Sequence, residues 1–339
     1  PDNEIKARIS RRRPWRHWVQ ENRIELRGLL APSHIPPEAP EVLRRKQHAF
    51  GYTEEDLKMI LAPMAARGQE AVGSMGNDAA LAVLSPRPQL LYAYFKQLFA
   101  QVTNPPIDPL REELVMSLMS FIGRERNLLA ETPEHVRQLK LPHPILTPED
   151  MLRLRGATHP EVRVAELDML FPAEGGGAGL EGALEELFAL AERRIDAGAT
   201  LLVLSDRRMD AARAPMPSLL AAAGLHHHLI RRGRRTSAGI LVESGDAREV
   251  IHFAMLLAFG ANAVCPHVAL STVREAEWIS RAHNPFPVNT YSSAASPKWY
   301  SASPSHSRAF SQDHSTARSH SAFLYSHCEH RRLMPRAGA

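Results

Sequence analysis

Several groups of residues in this sequence are of types that can carry chemistry. The first is GAGLEG, Gly177–Gly182, which matches the dinucleotide-binding pattern G-x-G-x-x-G and opens a predicted helix. The amino terminus of a helix can hold a pyrophosphate. However, Pro172, Ala173 and Glu174 separate the segment from the preceding predicted strand, whereas a dinucleotide fingerprint has its first glycine in the turn itself. We therefore interpret GAGLEG as a surface loop.

Two clusters contain the residue types that bind metal ions. The run His226–His228 lies within a predicted helix, and consecutive helical side chains point about 100° apart, so all three cannot reach one ion. We expect one of them to be buried and hydrogen-bonded instead. His327, Cys328 and His330 are suitable in type, but they lie in a segment predicted to be disordered, and such segments seldom preorganise a site. The sequence therefore predicts no metal site.

Asp206 directly follows a predicted buried strand, ATLLVLS. Because α/β proteins bind ligands at the carboxyl ends of their parallel strands, this carboxylate is a candidate binding residue. It is equally a candidate cap for the next turn. The sequence contains no nucleophile-elbow, Walker or paired-cysteine motif, so the residues alone assign no catalytic group.

The composition is typical of a globular protein. Hydrophobic residues make up 44% of the 339 residues, which suits a substantial core. The net charge of +4 is small and much of the excess arginine lies near the ends, so we expect no nucleic-acid partner. No apolar run is long enough to span a bilayer, so we expect no membrane association. Two cysteines, Cys265 and Cys328, favour a reducing compartment, and we expect the cytoplasm.

The first part of the chain is predicted to be helical and rich in loops. Residues 1–37 have the composition of a basic linker, in which Trp15 and Trp18 either anchor on a neighbouring surface or, as we expect, pack against the chain's own core. Helices are predicted over EVLRRKQHAF and over TEEDLKMILAPMA, the second with Thr53 as its cap. The run EAVGSMGND follows, and either a functional loop or a plain turn would use its flexible glycine backbone.

A stiff loop is predicted between two further helices. A helix is predicted over residues 88–100, and the segment FAQVTNPPID, Phe99–Asp108, follows it. Its two prolines hold the preceding asparagine out of the helical region. Asp108 then caps the next helix, and the T-P-E-D run that begins at Thr147 starts another. Such a loop either positions a partner or only connects two helices.

Beyond Pro160 the pattern changes to alternating strands and helices. Strands are predicted at Arg163–Leu170, Thr200–Ser205 and Gly239–Glu243, each followed by a helix, and ANAVCP repeats the strand pattern. Successive β-α units of this length imply parallel strands. The predicted fold class is α/β: a helical and loop-rich first part, then β-α units in a partial barrel-like layer, and a disordered carboxyl-terminal tail.

The tail, after about His283, has neither helical nor strand periodicity. It has few aliphatic residues and abundant Ser, His, Pro and Arg, so it cannot bury enough apolar surface to offset the entropy of ordering. The periodicity stops abruptly where an α/β fold should continue. This change supports the hypothesis that a shifted reading frame encodes the tail.

Three long strings carry a resemblance to a known family. They are FGYTEEDLKMILAPMAARGQEAVGSMGNDAALAVLS, LLYAYFKQLFAQVTNPPIDPLREELVMSL and LSDRRMDAARAPMPSLLAAAGLHHHLIRRGRRTSAGILVESGDAREVIHFAMLLAFGANAV. In these strings the chain resembles the central domain of the large subunit of glutamate synthase, the amidotransferase that makes glutamate from glutamine and 2-oxoglutarate. The resemblance implies a linker over 1–37, a central domain over 38–276 and the tail over 277–339.

The resemblance also implies which parts of the enzyme lie elsewhere. Members of the family carry an amino-terminal glutaminase domain with a nucleophilic terminal cysteine, this central domain, an FMN-binding barrel with cysteines for an iron–sulfur cluster, and a β-helix. A start at Pro1 implies a missing upstream portion, and two cysteines are too few for the cluster. No catalytic, cofactor-binding or metal-binding residue therefore carries over. We expect FMN and the cluster in the parent enzyme only.

The expected partners are the glutaminase and FMN domains, with the small subunit reached through them. Because the family passes ammonia internally between these two domains, we expect two loops to shape that passage or to pack between domains. Their residues are Ser74, Met75, Gly76, Asn77, Thr103, Asn104, Pro105 and Pro106. The two prolines would hold the backbone, and Thr103 and Asn104 would supply polar wall atoms.

Two functions remain open. The first is a fragment of glutamate synthase that links its two catalytic domains and is inactive in isolation. The alternative is a non-catalytic structural or interaction module left by a decayed gene. The resemblance does not decide whether the electron donor of the parent enzyme is NADPH or ferredoxin.

Overall fold

The computed structural model describes residues 2–26, 35–68, 80–96 and 108–283. The chain divides into two compact units, each described below by itself. Unit 1 comprises residues 1–36, 118–244 and 259–267, and unit 2 comprises residues 37–117, 245–258 and 268–339.

Helices and short strands follow one another along the described residues. The helices are Asp2–Arg11 (α1), Trp15–Asn22 (α2), Pro40–Ala49 (α3), Ala62–Arg67 (α4), Pro109–Val115 (α5), Pro148–Arg155 (α6), Gly176–Asp196 (α7), Ser218–Arg231 (α8), Val250–Ala258 (α9) and His267–His283 (α10). The strands are Ile24–Glu25 (β1), Ser120–Ile122 (β2), Leu139–Leu141 (β3), Val164–Asp168 (β4), Leu170–Pro172 (β5), Leu201–Ser205 (β6), Arg213–Pro215 (β7), Gly239–Ser244 (β8) and Ala263–Pro266 (β9). A π-helical stretch, Asp56–Leu61, precedes α4.

Unit 1 is built on a parallel sheet in the order β4-β6-β8-β9. This order follows the chain, as in consecutive strands of a β/α barrel. All residues of β6 and β8 are buried, which agrees with the continuous apolar runs of parallel strands covered on both faces. The predicted α/β fold class and the three predicted parallel strands are confirmed, with ends within two residues of the predicted positions.

A second, three-stranded sheet in the order β1-β3-β2 covers one face of the parallel sheet in unit 1. Leu139 and Leu141 of β3 are almost completely buried, and they share one apolar core with Met151 of α6 and with Val203 and Leu241 of the parallel strands. The carboxyl-terminal end of α6 is thereby placed beside the ends of β6 and β8.

Three predicted helix starts are confirmed. Thr147 and Asp150 form a reciprocal capping box, in which each side chain accepts a hydrogen bond from the other's backbone N–H. The Asp108 side chain accepts from the N–H groups of Leu110 and Arg111 at the start of α5. Thr53 accepts from the backbone of Asp56 and thus caps the turn that enters the π-helical stretch. Each cap supplies partners for N–H groups that a helix leaves unpaired at its amino terminus.

Unit 2 is held together around Arg248, whose side chain is 5% exposed. Its guanidinium donates to the carbonyls of Phe50 and Gly51, forms an ion pair with Asp56 at 3.1 Å, and lies over the ring of Tyr52. A buried cation requires such partners. Arg248 therefore fixes residues 50–56 against the start of α9.

Tyr92 provides a second anchor in unit 2. It lies in a 3₁₀ turn, Leu91–Phe95, where it is 2% exposed. Its hydroxyl bonds the Asp246 carboxylate at 3.2 Å, and its ring stacks on that of His252 with 4.2 Å between centroids. The predicted α-helix over 88–100 is wrong in its described part, because YAYF is aromatic-rich and of modest helix propensity, and the buried contacts of Tyr92 decide the local backbone.

The interpretation of GAGLEG as a surface loop is also wrong. These residues are helical, because α7 begins at Gly176 and a 3₁₀ turn, Ala173–Gly175, separates it from β5. Gly176 has a φ of 51°, so it supplies the left-handed turn ahead of the helix. Residues Gly177–Gly182 therefore do not form the strand-to-helix turn of a dinucleotide site.

Only the beginning of the predicted tail lies within the described residues. The backbone of α10 continues to His283, past the predicted boundary at residue 276, and residues 284–339 lie outside the described residues. No helix within the described ranges is long and apolar enough to cross a membrane.

Candidate functional site at the carboxyl edge of the parallel sheet

The carboxyl edge of the parallel sheet in unit 1 carries a buried carboxylate, Glu243. It is completely buried at the end of β8, and the sheet register places it beside Ser205 of β6 and Cys265 of β9. Residues paired in this way point to the same face of a sheet. The apolar residues that precede these three on their strands fill the core below them, so the strands deliver three polar side chains to one end of that core.

Two arginines neutralise Glu243. Arg155, the last residue of α6, donates to one carboxylate oxygen at 2.6 Å, and Arg207, in the loop after β6, donates to the other at 2.6 Å. The Ser205 hydroxyl donates to the Arg155-bound oxygen at 2.7 Å. Arg155 also contacts Glu166 of β4. Both oxygens of Glu243 are therefore occupied by charge-assisted hydrogen bonds.

The electrostatics keep Glu243 ionised. Burial disfavours the charged form, but Arg207 and Arg155 outweigh burial and lower the pKa of Glu243 to about 2. Burial and the Glu243 carboxylate raise the pKa of the Cys265 thiol, so this cysteine is not a thiolate nucleophile. A carboxylate with so low a pKa is a weak base. It does not activate the Ser205 hydroxyl by removing its proton.

Asp206 belongs to a second buried network at the same edge. Its carboxylate accepts from the Ser244 hydroxyl at 2.6 Å and lies 2.7 Å from the His267 ring nitrogen, and none of the three residues is more than 2% exposed. In a hydrolase triad the histidine lies between serine and carboxylate, whereas here the carboxylate lies between the other two. Asp206 thus joins the ends of β6, β8 and β9 and is not accessible to a ligand.

The outer rim of this edge is also charge-paired. Arg208 lies 2.8 Å from Asp168 and 3.6 Å from Glu166, both on β4. Each of the three arginines at this edge therefore has a carboxylate partner, so a ligand phosphate would have to displace a carboxylate from one of them. No group of three or more His, Cys, Asp or Glu side chains within the described ranges is arranged to hold a metal ion.

The eight residues predicted to shape a passage lie outside the described residues: Ser74, Met75, Gly76, Asn77, Thr103, Asn104, Pro105 and Pro106. His327, Cys328 and His330 lie outside them as well.

The run of three histidines does not converge on one point. His226 accepts a hydrogen bond from Arg235, His227 is exposed, and His228 bonds Glu192 on α7. Of the three, His226 and His228 are partly buried and hydrogen-bonded, which agrees with the expectation of a buried, hydrogen-bonded histidine in this run.

Sequence reasoning missed the Glu243 cluster, although a signal was present. In GILVES the only charged residue stands next to the end of an otherwise uncharged strand, and a buried carboxylate requires a cationic partner. Arg155 lies 88 residues upstream of Glu243, and Arg207 lies 36 residues upstream in the loop after β6, so their meeting with Glu243 is a property of the folded chain.

Comparison with known proteins places the chain in a family. The sequence profile of the "Glutamate synthase central domain" matches residues 45–298. The chain is 44% identical over 274 residues to the glutamate synthase (NADPH) large chain of Bacillus subtilis, 41% identical over 283 residues to the glutamate synthase (NADH) of Schizosaccharomyces pombe, and 42% identical over 277 residues to a ferredoxin-dependent glutamate synthase of Synechocystis.

These relatives are far longer than the segment they share with this chain. The alignments cover 80 to 81% of this chain but only 18%, 13% and 18% of the three relatives, respectively. The residues that match the central-domain profile, 45–298, include the parallel sheet, its charged carboxyl edge and the Arg248 anchor. The chain therefore belongs to the glutamate synthase family, in which it corresponds to the central domain.

Proposed function

We propose that this chain acts as the central domain of a glutamate synthase large chain, where it links the glutaminase domain to the FMN-binding synthase domain and helps to shape the passage for ammonia. The observation that carries the proposal is the central-domain match, on a segment that makes up only 13 to 18% of the relatives. The parent reaction converts glutamine and 2-oxoglutarate into two glutamates, and the place of action is the cytoplasm.

The chemistry at the carboxyl edge supports a linking role. Glu243 is paired on both oxygens, Cys265 is a buried thiol, and the Asp206 network is closed to solvent. Acyl transfer from glutamine needs an activated nucleophile, and none of these three groups is one. In this proposal the two half-reactions take place in other domains, and the charged edge makes the central domain rigid.

The cofactors of the parent family do not fit the residues of this chain. An iron–sulfur cluster needs several cysteine thiolates, and the sequence has two cysteines, of which Cys265 is buried among apolar strand residues. FMN needs a cation or free N–H groups for its phosphate, and the arginines at the carboxyl edge are already paired with carboxylates. We therefore assign both cofactors to the neighbouring synthase domain.

The electron donor is also assigned elsewhere. The three relatives are named for NADPH, NADH and ferredoxin, yet each shares this segment at 41 to 44% identity. A segment that is similar in enzymes with three different donors is a poor candidate for choosing among them. The small subunit, where one exists, would contact this chain through the flanking domains.

The passage assigned to the two loops is testable in a chimera. The large chain of the Bacillus subtilis relative would carry residues 2–283 of this chain in place of its matched segment. Gly76→Trp and Thr103→Trp should narrow the passage. We expect glutamate formation from glutamine to fall by roughly tenfold or more, while formation from added ammonia changes by less than about twofold.

The control is Ile230→Trp, which places the same bulk on a half-exposed position of α8. It should change neither rate. Equal losses with glutamine and ammonia in both loop variants would refute the passage role. If the chimera binds FMN but forms no glutamate from either nitrogen source, the alternative of a structural module from a decayed gene is favoured.

A further inference from the structure

A turn in unit 1 presents two consecutive leucines to solvent. Leu128 and Leu129 are 89% and 93% exposed, in the turn Asn127–Ala130, which we call the leucine turn. Single exposed leucines are common on protein surfaces, but two adjacent ones at the tip of a turn form a compact apolar projection. Turn tips ordinarily carry Gly, Asn, Asp or Ser instead.

The leucine turn is held by its own hydrogen bonds. The Asn127 side chain accepts from the N–H of Leu129 at 3.1 Å, and the Asn127 carbonyl accepts from the N–H of Ala130 at 2.9 Å. The same carbonyl lies 2.8 Å from the His135 ring nitrogen, and His135 in turn bonds Thr132. The leucines are therefore presented by an ordered scaffold, which lowers the entropy cost of binding a partner.

Within unit 1, the end of α1 lies beside this turn. Arg12 and Arg13 both contact Glu131, two residues beyond Leu129. Because α1 has ten residues, Asp2 lies within about 15 Å of that contact along the helix. A domain joined ahead of residue 2 would thus be tethered next to the leucine turn, at high effective concentration.

Helix α1 adds a second uncovered surface. None of its residues is buried, and Ile5 and Ile9, one turn apart on the same face, are 49% and 54% exposed. An isolated helix of ten residues is marginal in water, so such a helix gains stability when a partner covers its apolar face. Six basic and no acidic residues lie from position 6 to position 16; two of them, Arg12 and Arg13, contact Glu131, and the other four favour an acidic complementary surface.

We propose that the leucine turn and the Ile5–Ile9 face of α1 dock onto the domain that precedes this segment in the full-length large chain, in an apolar pocket with an acidic rim. This inference rests on the proposed placement of the chain within a longer enzyme, because most of each relative lies outside the matched segment. It does not depend on the ammonia passage.

The first test is photocrosslinking in the chimera described above. A benzophenone amino acid replaces Leu128, or replaces Ile230 as a control of similar apolar character on a different part of unit 1. After irradiation, peptides linked to position 128 should come from polypeptide upstream of the segment, and position 230 should give none of these. Links from position 128 only to downstream polypeptide, to a second copy or to solvent would overturn the inference.

The second test needs no assembled chimera. The 339-residue chain is titrated with the separately expressed amino-terminal domain of the Bacillus subtilis relative, and binding is followed by calorimetry. We expect saturable binding that weakens by roughly tenfold or more in L128D/L129D, remains unchanged in I230D, and weakens as salt is added. Absence of saturable binding by the unaltered chain overturns the inference.

The two proposals fail separately. If the chimera crosslinks at position 128 but Gly76→Trp causes no selective loss of glutamine-dependent glutamate formation, the docking surface is supported and the passage role is refuted. If Gly76→Trp causes that selective loss but position 128 gives no link to upstream polypeptide, the passage role is supported and the docking surface is refuted.

Discussion

Glu243 shows how one side chain can control the stability of an edge of the sheet. Replacing it by glutamine leaves Arg155 and Arg207 without their shared carboxylate, and removing one partner of a buried ion pair costs about 3 kcal/mol or more. Arg155 and Arg207 are 26% and 30% exposed, so solvent recovers part of this loss and we expect about 2 to 3 kcal/mol. Urea unfolding of Glu243→Gln measures it.

The control is Glu186→Gln, on the exposed face of α7, which should change stability by less than about 0.5 kcal/mol. The pH dependence should also differ. Because folding lowers the pKa of Glu243 from 4.5 to about 2, its contribution is present above pH 4.5 and is lost as pH falls towards 2. The variant should lack this acid-sensitive component, and an unchanged acid profile would contradict the assignment.

The buried His252 should make the stability of unit 2 depend on pH in a different range from that of Glu243. Burial first, and then the nearby Arg248 charge, lower the pKa of His252 from 6.5 to about 3. Between these values the unfolded chain binds the proton and the folded chain does not, so stability decreases as pH falls below 6.5. From pH 6.5 to 5 the loss should be about 1.6 kcal/mol, because the slope rises from half of about 1.36 kcal/mol per pH unit at pH 6.5 towards the full value at lower pH.

The variant His252→Asn tests this window. Asparagine keeps an acceptor for the N–H groups of Arg248 and Glu249 but cannot titrate. It also loses the stack on Tyr92, so we expect a less stable protein whose stability is flatter between pH 6.5 and 5. His48→Asn, at an exposed position, should keep the original slope. Thermal unfolding at several pH values distinguishes these outcomes.

At the scale of elements, the clearest agreement between local sequence and structure is α6. T-P-E-D supplies the cap, the proline at the first helical position and the reciprocal acidic residue. The structure shows both hydrogen bonds of the capping box and the proline at the start of the helix. The helix matters beyond its own stability, because its last residue is Arg155. A loose α6 would misplace one of the two cations of Glu243.

Loss of the α6 cap should therefore be measurable. Thr147→Ala removes the hydroxyl that accepts from the Asp150 N–H, and we expect a loss of about 1 kcal/mol. Thr158→Ala, at an exposed position just after the helix, should change the free energy of unfolding by a few tenths of a kcal/mol at most. Equal effects of the two substitutions would show that the capping box does not stabilise α6.

The helix predicted over 88–100 shows the opposite case. Local pattern favoured a helix, but Tyr92 is held by Asp246 and His252, which lie more than 150 residues away in the sequence. A short aromatic segment has too little helix propensity to oppose such contacts. The result is a 3₁₀ turn, which no local pattern in the segment predicted.

At the scale of the whole molecule, the isolated chain should be catalytically silent. Glutamine hydrolysis needs an activated nucleophile and reduction needs a bound redox cofactor, and the groups at the charged edge supply neither. We expect no glutamate above a heat-killed control, with glutamine, 2-oxoglutarate and an artificial electron donor, and no flavin absorbance after purification. Turnover above that control would mean that a catalytic site has been missed.

The sequence by itself determined the family, the α/β class, the parallel strands and the three helix caps. These features depend on short-range patterns: apolar runs of strand length, caps within three residues of a helix start, and long strings such as FAQVTNPPID that are specific to one family. Each can be identified from neighbouring residues, because an apolar strand run, a helix cap and a family-specific string are all patterns within a short stretch of chain.

Only the tertiary structure decided which charges meet. Glu243 is neutralised by Arg155 and Arg207, and Arg248 meets Asp56, across separations of 36 to 192 residues that carry no sequence signal. The same is true of Asp206, for which the sequence predicted either a ligand-binding role or a capping role. In the folded chain the Asp206 carboxylate is buried between Ser244 and His267. A buried carboxylate is stable only with hydrogen-bonding partners, and the neighbouring strand ends provide them.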